Sequence, residues 1–385
     1  MIQRDLTKII LELRLKFPVI TLTGPRQSGK TTLLKSIYKN LPYISLEDID
    51  NRNMAIRDPR GFLSNFPQGA ILDEVQRTPD LFSYIQGIVD SKKDVHFVLS
   101  GSQNFQLLEK ISQSLAGRTA VLKLLPFSLS EISNTNFKFE SYEDLIFKGL
   151  YPAIYDKDIS PEFFYPSYIN TYIEKDVRSV KNIENLSAFS LFLQLCAGRT
   201  GQLLNLNSLA MDAGISPNTA KSWLSILESS YIIYLLHPYH KNFNKRIVKT
   251  PKLYFYDTGL VCSLLGIENA QQVKTYYAKG VLFENMVINE FYKSSIHAGK
   301  IPRYFFWQNK TKQEIDIIKD TPNGPIPFEI KSGMTIHESY FHNLKYWKKI
   351  NDKSTDLSVI YGGDQNFSTS SGNIISWRKL QDFLK

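Results

Sequence analysis

Residues 20–34 read ITLTGPRQSGKTTLL. Gly24, Pro25, Arg26, Gln27, Ser28, Gly29, Lys30 and Thr31 fit the phosphate-binding loop G-x-x-x-x-G-K-[ST] at every fixed position. A pair of phosphates needs convergent backbone N–H groups, one flexible ammonium and a hydroxyl for magnesium, in that order along the chain. Gly24 and Gly29 let the backbone curl close to the phosphates. Lys30 reaches the gamma phosphate, Thr31 is the metal ligand, and Thr32 completes the nucleotide contacts. The flanks agree, because residues 17–23 (FPVITLT) read as a buried strand and residues 30–38 as the start of a helix. A chance glycine-rich turn would not carry that strand, loop, helix order.

A second signature follows. Residues 42–46 read as a strand, and residues 70–72 as a short apolar strand ending in Asp73 and Glu74. An apolar strand ending in two carboxylates, downstream of a phosphate loop, places Asp73 on the magnesium hydration shell. It places Glu74 where it polarises the attacking water. Residues 95–100 form a further strand leading to Ser102 and Asn104, and Ser102 is the first choice for orienting that water. The local alternative is capping of a helix over residues 105–111. Arg118 precedes a last strand over residues 120–124. It is a candidate catalytic contact to the phosphates of its own or a neighbouring subunit, against a solvated surface arginine.

The 385 residues exceed what one core normally holds, so several domains are expected. Hydrophobic residues at 43% and charged residues at 22% are ordinary for a soluble globular chain. No apolar run reaches the roughly 20 residues of a membrane span, and residues 1–17 form a charged amphipathic helix without a cleavage site, which points to the cytoplasm. Two cysteines, Cys196 and Cys262, sit in apolar stretches without metal-ligand spacing and read as core residues. The net charge of +9 favours a polyanionic partner, or serves solubility alone.

The run TGPRQSGKTTLL, then AILDEVQRTPDLF, VLSGSQNFQLL and SLAGR, resembles the uncharacterised prokaryotic AAA-type ATPases that carry a separate carboxy-terminal domain of unknown function. KLYFYDTGL (residues 252–260), GVLFENMVINE and EIDII resemble that family's carboxy-terminal half. The resemblance implies ATP binding and hydrolysis, with ATP and Mg2+ as cofactors and no assigned biological role. The chain departs from the pattern in lacking a clear second sensor arginine in a lid helix, so the usual ring assembly is not implied and the oligomeric state stays open.

From residue 126 the pattern turns helical and aromatic, with Pro152, Pro161 and Pro166 at the joints and an amphipathic stretch over residues 168–180. Residues 206–220 then have the spacing of a helix-turn-helix: Gly214 permits the corner, Ile215 packs, and Ser216 caps a helix whose apolar side holds Trp223, Leu224 and Leu227. Residues 231–236 and the basic loop from 240 to 246 suggest a wing. Asn218, Lys221, Lys241, Lys245 and Arg246 are the candidate DNA contacts. The equally physical alternative is a protein contact with a solvated charge run.

The final segment reads as a helix over residues 281–291, strands over 304–308, 314–318 and 327–331 with a turn at Asn323 and Gly324, a helix over 338–349 and a strand over 357–361. This order resembles the PD-(D/E)xK nuclease core. Its reactive set is Asp316, Glu329 and Lys331, with twelve residues between the first two and one between the last two. Strand positions two apart share a face, so Glu329 and Lys331 point together and Asp316 meets Glu329 across a divalent ion, with Glu284 a further carboxylate. The alternative is a solvent-facing strand.

The expectation is an α/β multidomain chain. It comprises a P-loop NTPase (AAA-like) domain at 1–130, a helical lid or connector at 131–190, a winged helix-turn-helix at 191–250 and a restriction-endonuclease-like α/β domain at 251–385. An ATP-driven enzyme acting on nucleic acid is the first functional reading. A nucleotide-operated switch binding a protein partner, with the nuclease-like part as scaffold, is the second.

Overall fold

The computed structural model describes residues 2–102, 114–173, 185–239, 249–351 and 357–384. The chain forms two compact units, the first built from residues up to 127 with the short segments 229–231 and 296–300, the second from the remainder.

The first unit is organised on a five-stranded sheet of β1 (Val19–Thr23), β2 (Tyr43–Ser45), β3 (Ile71–Asp73), β4 (Phe97–Gly101) and β5 (Thr119–Lys123), in the order β2-β3-β4-β1-β5. Every pairing is parallel. Parallel strands need covered faces, and both faces are covered here. Val19, Leu72, Phe97 and Leu99 pack with Phe62, Phe82 and Ile85. Ile20, Leu22, Ile71 and Val98 pack with Leu6, Ile10, Leu33 and Leu34. Alternate residues therefore serve opposite cores, which is why these strands read as largely apolar runs.

The first helix is shorter than its apolar pattern suggests, spanning Leu6–Leu13 and burying Leu6 and Ile10. The chain then turns into Pro18, whose missing N–H cannot continue a helix, and Phe17 packs half-buried beside the core. Register sets the site: Asp73 is level with Ser100, and Ser100 with Leu22, so β1, β3 and β4 all end at one edge of the sheet. Ligands of parallel sheets bind at that carboxyl edge.

The second unit starts with the helices Leu129–Ser133, Tyr142–Lys148, Pro152–Asp156 and Pro161–Tyr168. Two of them carry proline in the first turn, where the absent N–H costs nothing. Of the amphipathic stretch expected over 168–180, Tyr168 ends the preceding helix, a single π turn covers Ile169–Ile173, and residues 174–180 lie outside the described residues. The helices Leu206–Asp212 and Pro217–Ser229 form the expected helix, turn, helix. Gly214 takes φ +66° at the corner, and the Thr219 N–H donates to Ser216 Oγ at 3.0 Å. Trp223 meets Phe189 and Phe192 edge-on at 5.3 Å.

Strands β6 (Ile233–Leu236) and β7 (Lys252–Phe255) then pair antiparallel, Ile233 with Phe255 and Leu236 with Lys252. This pairing spans the boundary expected at 250/251. The basic residues between the strands, Lys241, Lys245 and Arg246, lie outside the described residues, as do Asn104 and the helix expected over 105–111.

The rest of the unit follows the expected order with some boundaries moved. After the helix Lys279–His297 come β8 (Tyr304–Gln308), β9 (Glu314–Thr321), β10 (Gly324–Lys331), β11 (Ser358–Tyr361), β12 (Phe367–Thr369) and β13 (Gly372–Ser376). The sheet order is β12-β13-β11-β10-β9-β8. The chain reverses between β9 and β10 at the expected Asn-Gly turn, while β10 and β11 run parallel. Trp347 and Leu344 of the helix His342–Ile350 cover one face over Trp307, Ile315, Ile318 and Val359. The last two strands, β12 and β13, had no counterpart in the sequence reading.

Candidate functional site

The phosphate loop is built from backbone that few residues adopt. Gly24 has φ +145°, Gln27 φ +59° and Gly29 φ +90°. At Gly24 a Cβ would stand 2.1 Å from the carbonyl oxygen of Leu124, so glycine is required by close approach as well as by φ. Arg4, a buried residue just before the first helix, donates to the Ser28 carbonyl at 2.7 Å and to the Leu125 carbonyl at 2.5 Å. Lys30 is buried and donates to the carbonyls of Gly24 (2.8 Å) and Pro25 (2.7 Å). The Ser28 hydroxyl is fully buried and has no hydrogen-bond partner among the described residues.

Asp73 is the hub of the second element. Its Oδ2 accepts from Thr31 at 2.7 Å and from Tyr43 at 2.8 Å, and its Oδ1 accepts from Ser100 and, at 3.1 Å, from the Glu74 N–H. Burial alone would raise the Asp73 pKa. The hydrogen bonds from Ser100, Thr31 and Tyr43, with the Lys30 charge, outweigh it and hold the carboxyl below its usual range. Glu74 sits at φ +54°, a conformation unusual for a glutamate. Its carboxylate accepts from Gln76 and, at 3.2 Å, from Ser102. A buried ammonium, an unpartnered hydroxyl, a threonine hydroxyl on an ionised aspartate and a fixed second carboxylate together suit a magnesium–phosphate ligand.

Pro25 lies buried within the loop, Arg26 is half-buried with Nη1 3.5 Å from Glu47, and Gln27 and Thr32 are exposed. Arg118 does not join this group. Its carbonyl accepts from the Val19 N–H at 3.2 Å, which puts it before β5 at the opposite edge of the sheet. The five residues of β5, at roughly 3.3 Å each, separate it from the loop by about 16 Å, so a contact within one subunit is not made. Its guanidinium instead clamps Asp90 at 2.6 and 2.8 Å.

In the helix-turn-helix, Asn218 and Lys221 are both exposed in the first turns of the second helix.

The carboxy-terminal carboxylates form a second cluster. Asp316 Oδ2 accepts the Ile330 N–H at 2.7 Å, and Lys331 Nζ lies 3.5 Å from the same oxygen. Lys331 also donates to Glu329 at 2.6 Å. The β9–β10 register ends at Phe328 opposite Ile317, and one step further sets Glu329 opposite Asp316. Glu329 is buried, and burial, with Asp316 beside it, pushes its carboxyl well above the usual range.

The set that could share an ion is differently composed from the expected one. Glu284, Glu314 and Asp316 bring one oxygen each to within 4.8 Å of one another. Glu314 joins because it lies two residues before Asp316 on the same strand face. The sequence reading missed Lys252 and Tyr254, which reach Glu284 and Glu314 from β7. It also missed Arg4, Tyr43, Ser100 and Gln76. Of these, only Ser100 carried a signal, a hydroxyl at a strand end level with Asp73.

Comparison with known proteins agrees with the amino-terminal geometry. Residues 16–133 match the AAA domain family, residues 139–271 a domain of unknown function (DUF8612) and residues 279–380 another (DUF4143). An uncharacterised protein of Mycobacterium tuberculosis is 28% identical over 360 residues, covering 92% of this chain and 78% of that protein. An uncharacterised protein of Methanocaldococcus jannaschii is 25% identical over 300 residues, covering 65% and 63%. Among solved structures, a Walker-type ATPase of Pyrococcus abyssi aligns with a TM-score of 0.47 at 14% identity, covering 69% of this chain and 96% of that one. Residues 16–133 are thus an AAA-type P-loop domain within an α/β multidomain chain, and residues 279–380 match DUF4143. No helix among the described residues is long and apolar enough to cross a membrane.

Proposed function

Taking as premise an AAA-type P-loop domain followed by two domains of unknown function, we propose that the chain hydrolyses ATP to ADP and phosphate with magnesium and couples its nucleotide state to nucleic acid. The observation that carries the ATPase reading is the 2.7 Å hydrogen bond from Thr31 to Asp73. It holds the hydroxyl and carboxylate that magnesium requires side by side at the mouth of the loop. Magnesium supplies charge neutralisation on the beta and gamma phosphate oxygens. The loop N–H groups bind the phosphates, and Lys30 exchanges the carbonyls of Gly24 and Pro25 for phosphate oxygens. Glu74, held by Gln76 and Ser102, orients the attacking water and accepts its proton. Phosphate release from ATP, with magnesium and with chelator, tests the proposal.

The nucleic-acid half rests on the exposed Asn218 and Lys221 at the head of the second helix and on the net charge of +9. In this reading Lys241, Lys245 and Arg246 add phosphate contacts. Stimulation of ATP turnover by duplex DNA supports it, whereas co-purification of a protein and indifference to DNA favour the switch with a protein partner.

A second reading concerns the carboxy-terminal cluster, and the shared approach of Glu284, Glu314 and Asp316 favours it. Three carboxylates around one point suit a hard divalent cation. Asp316 and Glu284 would hold the ion with Glu314, Glu329 beside them, and Lys331 would stabilise charge on a phosphodiester as in PD-(D/E)xK nucleases. Metal-dependent nicking of DNA, lost in Asp316→Asn, tests it.

A further inference from the structure

Lys252 is used by neither reading, yet it stands in the middle of the carboxylate cluster. Its ammonium donates to Glu314 Oε1 and lies 3.3 Å from Glu284 Oε1. These are two of the three residues whose oxygens converge. The third, Asp316, has Glu329 opposite it, 1% exposed, and Glu329 Oε1 has no hydrogen-bond partner among the described residues. Hard oxygen donors at this spacing, with a buried orphan oxygen beside them, are the donor chemistry of magnesium or manganese. A lysine ammonium fills the same space.

The backbone of Lys252 is fixed from both sides. β7 pairs with β6 on one side, and on the other Lys252 bridges Leu203 and the Leu253 N–H donates to the Gln202 carbonyl at 3.1 Å. The side chain then runs past the Phe306 ring, with Nζ 5.5 Å from its centre. Tyr254, two residues on and on the same strand face, donates to Glu284. Gln308 donates to the other oxygen of Glu314. Glu284 Oε1 and both oxygens of Glu314 therefore have donors without an ion. A divalent cation entering beside the ammonium would meet like charge at short range in a weakly screened interior.

We propose that Lys252 is a built-in competitor for a divalent cation at Glu284, Glu314 and Asp316, closing the site until its side chain swings away. The inference rests on the metal reading of this cluster and adds the residue that governs entry. Because the strand is locked, opening requires rotation of the side chain alone, which its four-carbon stem permits.

The test uses the full chain without nucleotide, titrated with Mn2+ while the free ion is followed by electron paramagnetic resonance. Each protein is paired with its Asp316→Asn version, so that ions held at the phosphate loop are subtracted. Lys252→Met keeps the length and removes the charge. The Asp316-dependent affinity should tighten by at least about tenfold, the scale on which neighbours tune a metal site. Equal Asp316-dependent affinity in wild type and Lys252→Met overturns the competition and leaves the metal reading standing. No Asp316-dependent binding in either protein overturns both. Should Lys252→Met fail to fold, Lys252→Gln takes its place, keeping a polar donor toward Glu314 while removing the charge and leaving Glu284, Glu314 and Asp316 intact. The same gain is expected there, and its absence counts against the proposal equally.

Discussion

The hydroxyl of Thr31 donates to Asp73 across 2.7 Å, joining the end of the phosphate loop to the end of β3. Two stretches 42 residues apart meet because β3 and β1 flank the same strand, β4, in register. The same carboxylate collects Tyr43 and Ser100. It is therefore oriented before any ligand arrives, which is what preorganised electrostatic stabilisation needs.

Replacing Asp73 by asparagine changes chemistry with little change of shape. The amide offers one acceptor oxygen and two donors in place of an ionised carboxylate, so it serves Thr31, Tyr43 and Ser100 less well and holds magnesium poorly. Turnover should drop by about a hundredfold or more, the scale of losing one transition-state electrostatic partner, with the melting temperature lowered only modestly. Steady-state phosphate release beside a thermal melt checks this. Unchanged turnover would remove Asp73 from the site.

The loop glycines separate close approach from simple conformational freedom. Gly24→Ala drives a methyl to 2.1 Å from the Leu124 carbonyl, whereas Gly117, at φ +75°, has nothing within 4 Å of an added Cβ. Gly24→Ala should abolish binding of a fluorescent ATP analogue. Gly117→Ala should retain it, at a stability cost of about 1 kcal/mol for the left-handed backbone. Equal binding by both variants would mean that the loop geometry is not set by this contact.

Much of this was legible because the pattern is imposed by the ligand or by burial. The G-x-x-x-x-G-K-[ST] pattern fixes residue type at Gly24, Gly29, Lys30 and Thr31, and a strand covered on both faces is mostly apolar, so β1 and β4 could be located within a residue or two. Alternation placed Asp316, Glu329 and Lys331 on their strands correctly. What stayed hidden depends on partners distant in sequence. Lys252 meets Glu314 from 62 positions away, and Arg4 reaches Leu125 from 121, with no local pattern to announce either. Arg118 departs from its within-subunit reading for a related reason: it flanks the right strand at the end away from the loop, and strand polarity relative to the loop emerges only from the pairing.

Lys123 offers a pH test of the first unit. It is half-buried with its ammonium 4.9 Å from the Tyr231 ring centre, and burial lowers its pKa. A folded-state value below the unfolded one, about 10.4, means that the folded chain releases this proton first. The charged form therefore costs stability, and the cost fades as pH rises through the lowered value. The difference in melting temperature between Lys123→Met and wild type should shift in favour of wild type between pH 7 and pH 10. A difference that does not vary with pH would contradict the burial argument.

Binding through Asn218, Lys221 and the basic residues Lys241, Lys245 and Arg246 should rest largely on phosphate contacts. Affinity for duplex DNA should then fall steeply with salt, and replacing Lys241, Lys245 and Arg246 together should flatten the logarithmic slope by up to about three. Fluorescence anisotropy at several salt concentrations measures it. No DNA affinity even at low salt would favour the protein-partner reading.

One paired measurement tests whether the amino-terminal unit binds and hydrolyses ATP through Lys30, Asp73 and Glu74. ATP-analogue binding and magnesium-dependent phosphate release are followed together in wild type, Lys30→Ala and Glu74→Gln. Wild type should bind and turn over, Lys30→Ala should do neither, and Glu74→Gln should keep the nucleotide while losing hydrolysis because no group remains to take the water's proton. Turnover by Glu74→Gln at the wild-type rate, or wild-type protein that neither binds nor hydrolyses ATP with magnesium present, would contradict the account.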